Sequence, residues 1–232
     1  MNDPLRSKHV TQETLCTTLG DKKVHLLTVT EKGTPEEIKL RKGIVLTDRI
    51  HPGESNTSFV MKGIINFLTD LECPEAILLR RNFVFKLIPM INPDGVALGN
   101  YRCSIIGRDL NRMWKNPDST LFPEIAYIKK LVAEFHQQNP IVLYTDLHGH
   151  SRARKAFTYG NNYLHNPEST RVFPYILSKI APDYFNYKKC KFKVEKSKQG
   201  TSRITLWRMI KTPAVYTLET SLCGGAIDGE MP

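Results

Sequence analysis

Four apolar runs of strand length constrain the fold of this 232-residue chain more than any other feature. Turn residues bound each run, and the apolar residues are continuous rather than alternating, which is typical of strands buried on both faces of a sheet. The runs are residues 43–50 (GIVLTDRI), 82–91 (NFVFKLIPMI), 141–147 (IVLYTDL) and 213–219 (PAVYTLE). They predict a buried sheet.

Helix-like stretches lie between these runs, at about 56–70, 122–138 and 169–181, where apolar residues recur every three or four positions. Because strands and helices alternate, we predict an α/β fold with a mixed, mostly parallel sheet and helices on both faces. A chain of this length can bury one sizeable core, so we expect residues 1–232 to form a single domain. In such sheets, ligand sites gather outside the carboxyl ends of the strands.

The chain is basic, with 33 Lys and Arg residues against 23 Asp and Glu residues and a net charge of +10. Such a charge attracts anionic partners of several classes. Much of it falls in residues 188–211, a stretch that reads equally well as a solvated lysine-rich face. No helix-turn-helix, zinc-finger or RNA-binding signature accompanies the charge, so we expect no nucleic-acid partner.

The sequence favours a reduced, cytoplasmic setting. The first residues lack the apolar core of a signal peptide. No apolar run approaches the roughly 20 residues of a membrane-spanning helix, so we expect no membrane partner. Five scattered cysteines include no Cys-x-x-Cys pair, which fits a compartment where thiols stay reduced. They are Cys16, Cys73, Cys103, Cys190 and Cys223.

Candidate metal ligands follow two of the predicted strands. His51 and Glu54 lie on a tight turn after the first run, and His148 follows the third run. A catalytic zinc site keeps three protein ligands and an open position for water, and two histidines with one glutamate are a known set. Each piece is weak alone, because a His-x-x-Glu pair is more often an exposed polar pair and a lone histidine more often structural. The conjunction suggests one bound Zn²⁺.

Further polar residues complete a candidate site. Arg102, Asn111 and Arg112 could supply donors for a carboxylate and for a developing oxyanion. Glu219 ends an otherwise apolar strand, where burying a carboxylate is costly without a purpose. A structural salt bridge is the alternative explanation for Glu219.

Together these segments resemble the M14 metallocarboxypeptidases and, within them, the cytosolic carboxypeptidases that remove glutamates from tubulin. The similarity extends over almost the whole chain. The matching blocks, in the family's order, are HPGESNTSFVMKGIINFL, FVFKLIPMINPDGVALGNYRCSIIGRDLNRMW, DLHGHSR, KSKQGTSRITLWR and YTLET. No single motif among them is as specific as the ordered set.

The resemblance implies a role for each candidate in the metal site. His51, Glu54 and His148 would be the zinc ligands, and His150 would not be one. Glu219 would be the catalytic carboxylate, which takes a proton from the attacking water and returns it to the leaving amine. The fold would be that of the metallocarboxypeptidases.

The resemblance also implies roles around the substrate. Arg102 would stabilise the oxyanion, and Asn111 with Arg112 would bind the substrate's terminal carboxylate. Asp109 would orient His51 from behind, which fixes the tautomer of a metal-bound histidine. Arg203 is the candidate that selects an acidic side chain, although a surface arginine in a basic segment is an equal alternative.

The implied substrates are C-terminal or side-chain glutamates of acidic protein tails such as polyglutamylated tubulin. The implied location is the cytoplasm, in association with microtubules or cilia. The sequence nevertheless departs from the family, since the N-terminal β-sandwich domain is not found and only 13 residues follow Glu219. We therefore expect the family's C-terminal segment to be missing. The alternative is a truncated, catalytically impaired domain that binds acidic tubulin tails without cleaving them.

Overall fold

The computed structural model describes residues 6–163 and 166–222. Within these residues seven strands form one sheet. The strands are β1 (Val10–Thr17), β2 (Lys23–Val29), β3 (Lys42–Thr47), β4 (Phe83–Ile88), β5 (Ile141–His150), β6 (Phe157–Tyr159) and β7 (Val215–Ser221). Their order across the sheet is β1-β2-β4-β3-β5-β7-β6.

The sheet is mixed, as predicted from the sequence. Its central strands β4, β3, β5 and β7 are parallel to one another. At one side β2 pairs antiparallel with β4, and β1 pairs antiparallel with β2. At the other side β6 pairs antiparallel with β7. The parallel centre contains all four runs that the sequence marks as buried strands.

Helices cover both faces of the sheet, which confirms the predicted arrangement. The α-helices are α1 (Pro35–Leu40), α2 (Asn56–Leu68), α3 (Pro74–Asn82), α4 (Pro93–Ala97), α5 (Pro123–Gln138), α6 (Val172–Ile180) and α7 (Ser202–Ile210). Residues of α5 and α7 share one apolar cluster with the sheet, and residues of α2 and α3 share another. The two clusters lie on opposite faces, because Val45 belongs to the first and its neighbours Ile44 and Leu46 belong to the second.

Some elements differ from the sequence-based prediction. Strands β1 and β2 were not predicted, and the short helix α4 lies outside the three helix-like stretches that the sequence marks. His148 lies inside β5 rather than after it, and β7 continues two residues past Glu219. These shifts extend strands into the site without moving the residues away from the carboxyl end of the sheet.

Four cysteines of the described segments, Cys16, Cys73, Cys103 and Cys190, are free thiols. Cys223 lies outside the described residues. So do the chain end, on which the expectation of a missing C-terminal family segment rests, and the first residues considered for a signal peptide. None of the helices in residues 6–163 and 166–222 combines the length and apolar character needed to cross a bilayer.

Candidate metal centre

Three neighbouring parallel strands bring the predicted site residues to one edge of the sheet. His51 and Glu54 lie on the turn between β3 and α2, while His148 and Glu219 lie near the ends of β5 and β7. The parallel register places Glu219 directly beside His148. The turn is fixed by Arg49, whose guanidinium donates to the Pro52 carbonyl oxygen at 2.7 Å.

The side chains of His51, Glu54 and His148 converge on one point. All three are buried, and one ligand atom from each lies within 4.8 Å of the others. Nδ1 of His51 is 2.7 Å from Oε1 of Glu54, and Nδ1 of His148 is 3.0 Å from Oε2. The two Nδ1 atoms are 3.2 Å apart. Both imidazoles therefore direct the same ring nitrogen at the glutamate.

An aspartate lies behind each histidine. Oδ1 of Asp109 is 3.1 Å from Nε2 of His51, and Oδ2 of Asp146 is 2.8 Å from Nε2 of His148. A histidine whose Nε2 faces a carboxylate holds its proton there and leaves the Nδ1 lone pair available to a metal. Asp146 was not among the sequence candidates, although a carboxylate in a buried apolar run was a signal of the same kind as Glu219.

This donor set fits a divalent cation such as zinc. The two imidazole nitrogens and the carboxylate match a catalytic zinc set in number and type. The carboxylates of Glu54 and Asp146 are buried. Within the described residues, they form ion-pair contacts with His51 and His148 and with no Lys or Arg side chain. A bound cation would compensate this buried negative charge.

The pKa of Glu54 reflects that environment. Burial by itself would raise the pKa of this carboxyl, but the hydrogen bonds with His148 and His51 outweigh burial and hold the pKa well below its usual range. Glu54 is therefore ionised at neutral pH, which is the state that binds a metal. The backbone N–H of Gly149 adds a donor to Oε2 at 2.9 Å.

A cleft of about 710 Å³ opens above the three converging side chains. Eight of the nine predicted site residues line it, and they are His51, Glu54, His148, Glu219, Arg102, Asn111, Arg112 and Arg203. The ninth, Asp109, does not line the cleft but contacts four residues that do. Its carboxylate meets the side chains of His51, Arg102 and Arg112 and the backbone N–H of Asn111. The sequence candidates are thus neighbours in space, although 168 positions separate the first from the last.

Asp109 organises one side of the cleft. Its Oδ2 accepts from Nε of Arg102 at 2.9 Å and lies 3.7 Å from Nη1 of Arg112. Its Oδ1 accepts the backbone N–H of Asn111 at 2.9 Å. Burial would raise the pKa of Asp109, but His51 and the two arginines hold it well below its usual range. One carboxylate thus positions a histidine and two cations together.

Asn111, one of the residues expected to bind the substrate's terminal carboxylate, is buried. Its Nδ2 is 3.3 Å from Nε2 of His148, and its Oδ1 accepts the backbone N–H of Ser202 at 3.1 Å. Arg112 is about one-third exposed and donates to the Asn111 carbonyl oxygen at 2.8 Å. Arg112 and Arg102 therefore present positive charge to the cleft beside the buried Asn111.

The remaining candidates differ in their surroundings. Burial is the main reason why the pKa of Glu219 is raised to about 6, with His148 opposing that shift and Glu54 adding to it. Arg203 is buried on the first turn of α7 and is not the surface arginine considered as the alternative. Nδ1 of His150 accepts the backbone N–H groups of Arg152 and Ala153, each at 3.0 Å.

The geometry can be compared with known proteins. The profile of the M14 peptidase family, described as zinc carboxypeptidase, matches residues 5–224. The chain belongs to the M14 zinc carboxypeptidase family. Cytosolic carboxypeptidase 2 of Homo sapiens is 45% identical over 97% of this chain, and cytosolic carboxypeptidase 3 of Bos taurus is 41% identical over 97% of it. The predicted family and the resemblance to cytosolic carboxypeptidases are confirmed.

The chain spans about a quarter of the length of these curated relatives, since the alignments cover 25% and 23% of them. Solved structures agree with the fold of this M14 chain. A metallo-carboxypeptidase of Burkholderia cenocepacia superposes with a TM-score of 0.81 at 21% identity, over 93% of this chain and 57% of that one. A metallo-carboxypeptidase of Pseudomonas aeruginosa gives 0.77 at 22% identity, over 92% and 56%.

Proposed function

We propose that residues 1–232 form a catalytic domain that removes C-terminal or side-chain glutamates from acidic protein tails, such as those of polyglutamylated tubulin. The observation that carries this proposal is the convergence of His51, Glu54 and His148 beside Glu219, at the base of a basic cleft. His51, Glu54 and His148 would hold one Zn²⁺ per chain. This arrangement favours an enzyme over the alternative of a domain that only binds tails.

Glu219 is the proposed proton carrier. Bound at this site, zinc would lower the pKa of a coordinated water toward roughly 7 and so supply a nucleophile at neutral pH. Glu219 lies beside His148 in the sheet and faces the cleft, so its carboxylate can accept the proton of that water. It then returns the proton to the amine of the leaving residue.

Arg102, Asn111 and Arg112 would orient the substrate. A guanidinium has five N–H donors, and Asp109 accepts from only some of those of Arg102. The others can donate to the oxygen that becomes negative during attack. Arg112 and the Asn111 amide, on the same wall, would bind the terminal carboxylate of the chain. Such a clamp restricts cleavage to chain ends.

A basic part of the cleft lining supports glutamate as the residue removed. It carries Lys191, Lys193, Lys198 and the buried Arg203, with Glu195 as the acidic residue among them. A glutamate side chain would find charge-assisted donors there, whereas a lysine side chain would meet like charges. The basic segment at residues 188–211 thus borders the proposed substrate.

Mass spectrometry of polyglutamylated tubulin provides the test. Incubation with the zinc-loaded protein should shorten the glutamate chains in steps of one residue, and the Glu219→Gln variant should leave them unchanged. A chelator should also stop the reaction. Tail binding by both proteins without loss of glutamate from either would contradict the proposal and support a binding module.

We also propose that the protein acts in the cytoplasm, on microtubules or cilia. The relatives at 45% and 41% identity, which are named cytosolic carboxypeptidases, support the cytoplasm as its location. Cosedimentation with microtubules that carry or lack polyglutamate chains would test the association. Equal sedimentation with both would indicate that the tails do not recruit the protein.

A further inference from the structure

Asp146 is a buried carboxylate with three well-defined partners. It lies on β5 two residues before His148, and its exposed fraction is 0%. Oδ2 is 2.8 Å from Nε2 of His148 and accepts the Ser202 hydroxyl at 2.8 Å. Oδ1 accepts the Thr47 hydroxyl at 2.7 Å. Both oxygens are therefore occupied, and one of them points at a proposed metal ligand.

The two hydroxyl groups come from different elements and restrict the carboxylate in different directions. Thr47 is the last residue of β3, and Ser202 is the first residue of α7. Thr47 and Ser202 are fully buried, and the Tyr144 hydroxyl lies 2.9 Å from Thr47 Oγ1. An ionised carboxylate in such a site is strongly destabilising unless hydrogen bonds satisfy it. Thr47, Ser202 and His148 together satisfy both oxygens and so hold the carboxylate in one orientation beside His148.

Asp146 determines which nitrogen of His148 faces the cleft. With Nε2 directed at the carboxylate, the ring presents Nδ1 to Glu54 and to Nδ1 of His51. We propose that Asp146, oriented by Thr47 and Ser202, is the positioning residue that fixes the ring and tautomer of His148 for zinc binding. This inference rests on the proposed zinc site but not on the proposed cleavage of glutamates.

Ser202 extends this arrangement toward the substrate side of the cleft. Its backbone N–H donates to Oδ1 of Asn111 at 3.1 Å, while its hydroxyl donates to Asp146. The first residue of α7 therefore contacts a proposed substrate-binding residue and the support of a proposed metal ligand. Loss of the Ser202 hydroxyl alone would remove the contact with Asp146 and leave the one with Asn111.

The test measures the zinc dissociation constant by competition with a chromophoric chelator. Replacing an outer partner of a metal-bound histidine weakens metal affinity by roughly 10–100-fold. We expect that loss for Asp146→Asn, and a smaller, several-fold loss for Ser202→Ala and for Thr47→Val, because each leaves one hydroxyl on Asp146. The two hydroxyl variants keep the test valid if Asp146→Asn does not fold.

Two control substitutions separate this role from general loss of a buried polar group. Asp48→Asn changes another fully buried aspartate, whose Oδ1 accepts the Arg49 backbone N–H at 2.6 Å, and Thr145→Val changes a buried threonine on the same strand as Asp146. Both should keep the wild-type zinc affinity. In the zinc-loaded protein, nitrogen-15 spectra should place a proton on Nε2 of His148, and Asp146→Asn should shift that signal.

Two results would be decisive against the assignment. Wild-type zinc affinity and an unchanged His148 spectrum in Asp146→Asn would overturn the positioning role while leaving the zinc site intact. A wild-type protein that binds no zinc at all would instead overturn the site itself. Because neither measurement uses a peptide substrate, the outcome is independent of which residues the protein removes.

Discussion

Arg203 and Asn161 hold each other at the wall of the cleft. Nη1 of Arg203 donates to Oδ1 of Asn161 at 3.0 Å and to the Gly160 backbone carbonyl, and Nδ2 of Asn161 donates to the Val215 carbonyl oxygen at 3.1 Å. The guanidinium is thus tied to the start of the central strand β7. Burial lowers the pKa of Arg203 to about 10, which leaves the group charged at neutral pH.

Replacing Arg203 should remove selection for an acidic side chain. A hydrogen bond to a charged group contributes about 1.5–3 kcal/mol. Arg203→Met should therefore lower kcat/KM for peptides ending in glutamate by roughly 10–150-fold, and Arg203→Glu should lower it further by repulsion. Steady-state kinetics on peptides that end in glutamate or in a neutral residue of similar size would measure the effect.

Arg208 provides the matched control for Arg203. It lies on the same helix, α7, but is exposed and does not line the cleft. Arg208→Met should keep the wild-type preference. An Arg203→Met variant that stays folded and cleaves both peptide series as the wild type does would remove Arg203 from the substrate site.

Zinc should stabilise the folded chain through His51, Glu54 and His148. A ligand that binds only the folded state adds about 2.7 kcal/mol when its free concentration is 100 times its dissociation constant. For a chain of this size that corresponds to a rise in Tm of roughly 5–10 °C. Differential scanning fluorimetry with and without zinc would record the shift, and His148→Ala should abolish it. A shift of equal size in His148→Ala would place the metal elsewhere.

Glu124 should make stability depend on pH. Burial is the main cause that raises the pKa of this carboxyl from 4.5 to about 7 in the folded chain. Between these values the folded state binds more protons than the unfolded state, so the free energy of unfolding falls as pH rises through that window. The slope contributed by one such group is at most about 1.4 kcal/mol per pH unit.

Glu124→Gln should therefore flatten the decline between pH 4.5 and 7, as measured by urea unfolding at several pH values. Asp48, whose pKa burial also raises to about 7, contributes a second decline of the same sign. The double variant with Asp48→Asn should be flatter than either single variant. Wild-type and Glu124→Gln curves that run parallel over this range would refute the role of Glu124.

The centre of the sheet could be predicted from the sequence because its strands are buried on both faces. The apolar residues in the run at 43–50 are continuous rather than alternating, because Val45 and Leu46 pack into different apolar clusters on the two faces. Strand β1 was missed for the opposite reason. Most of its residues are exposed, so its polar sequence, VTQETLCT, carries no apolar pattern.

The site was predictable only where its residues form recognisable blocks. His51, Glu54 and His148 follow predicted strands, and the resemblance added their partners. Asp146 was missed because it lies within an apolar run and its purpose depends on Ser202, 56 positions later in the chain. Contacts of that kind exist only once α7 packs against the sheet. A buried carboxylate was the one signal that could have indicated it.

Gly149 should be needed to keep Glu54 in place. A Cβ at this position would lie 2.5 Å from Oδ1 of Asn56 and 3.1 Å from Cβ of Glu54. Asn56 is anchored to Oγ1 of Thr220 at 2.9 Å, so relief of the 2.5 Å contact must come from the β5 backbone at Gly149, whose N–H donates to Oε2 of Glu54. Gly149→Ala should thus weaken zinc binding, by roughly the tenfold or more expected for a disturbed ligand shell.

Gly63 is the natural comparison, because it lies on the exposed side of α2 and an added Cβ there meets nothing within 4 Å. Gly63→Ala should keep the zinc affinity and stabilise the helix by roughly 0.5–1 kcal/mol. Isothermal titration with zinc and urea unfolding of both variants separate the two effects. If Gly149→Ala binds zinc as tightly as Gly63→Ala, the Asn56 side chain has yielded instead of the β5 backbone, and the packing of β5 against the turn does not limit the metal site.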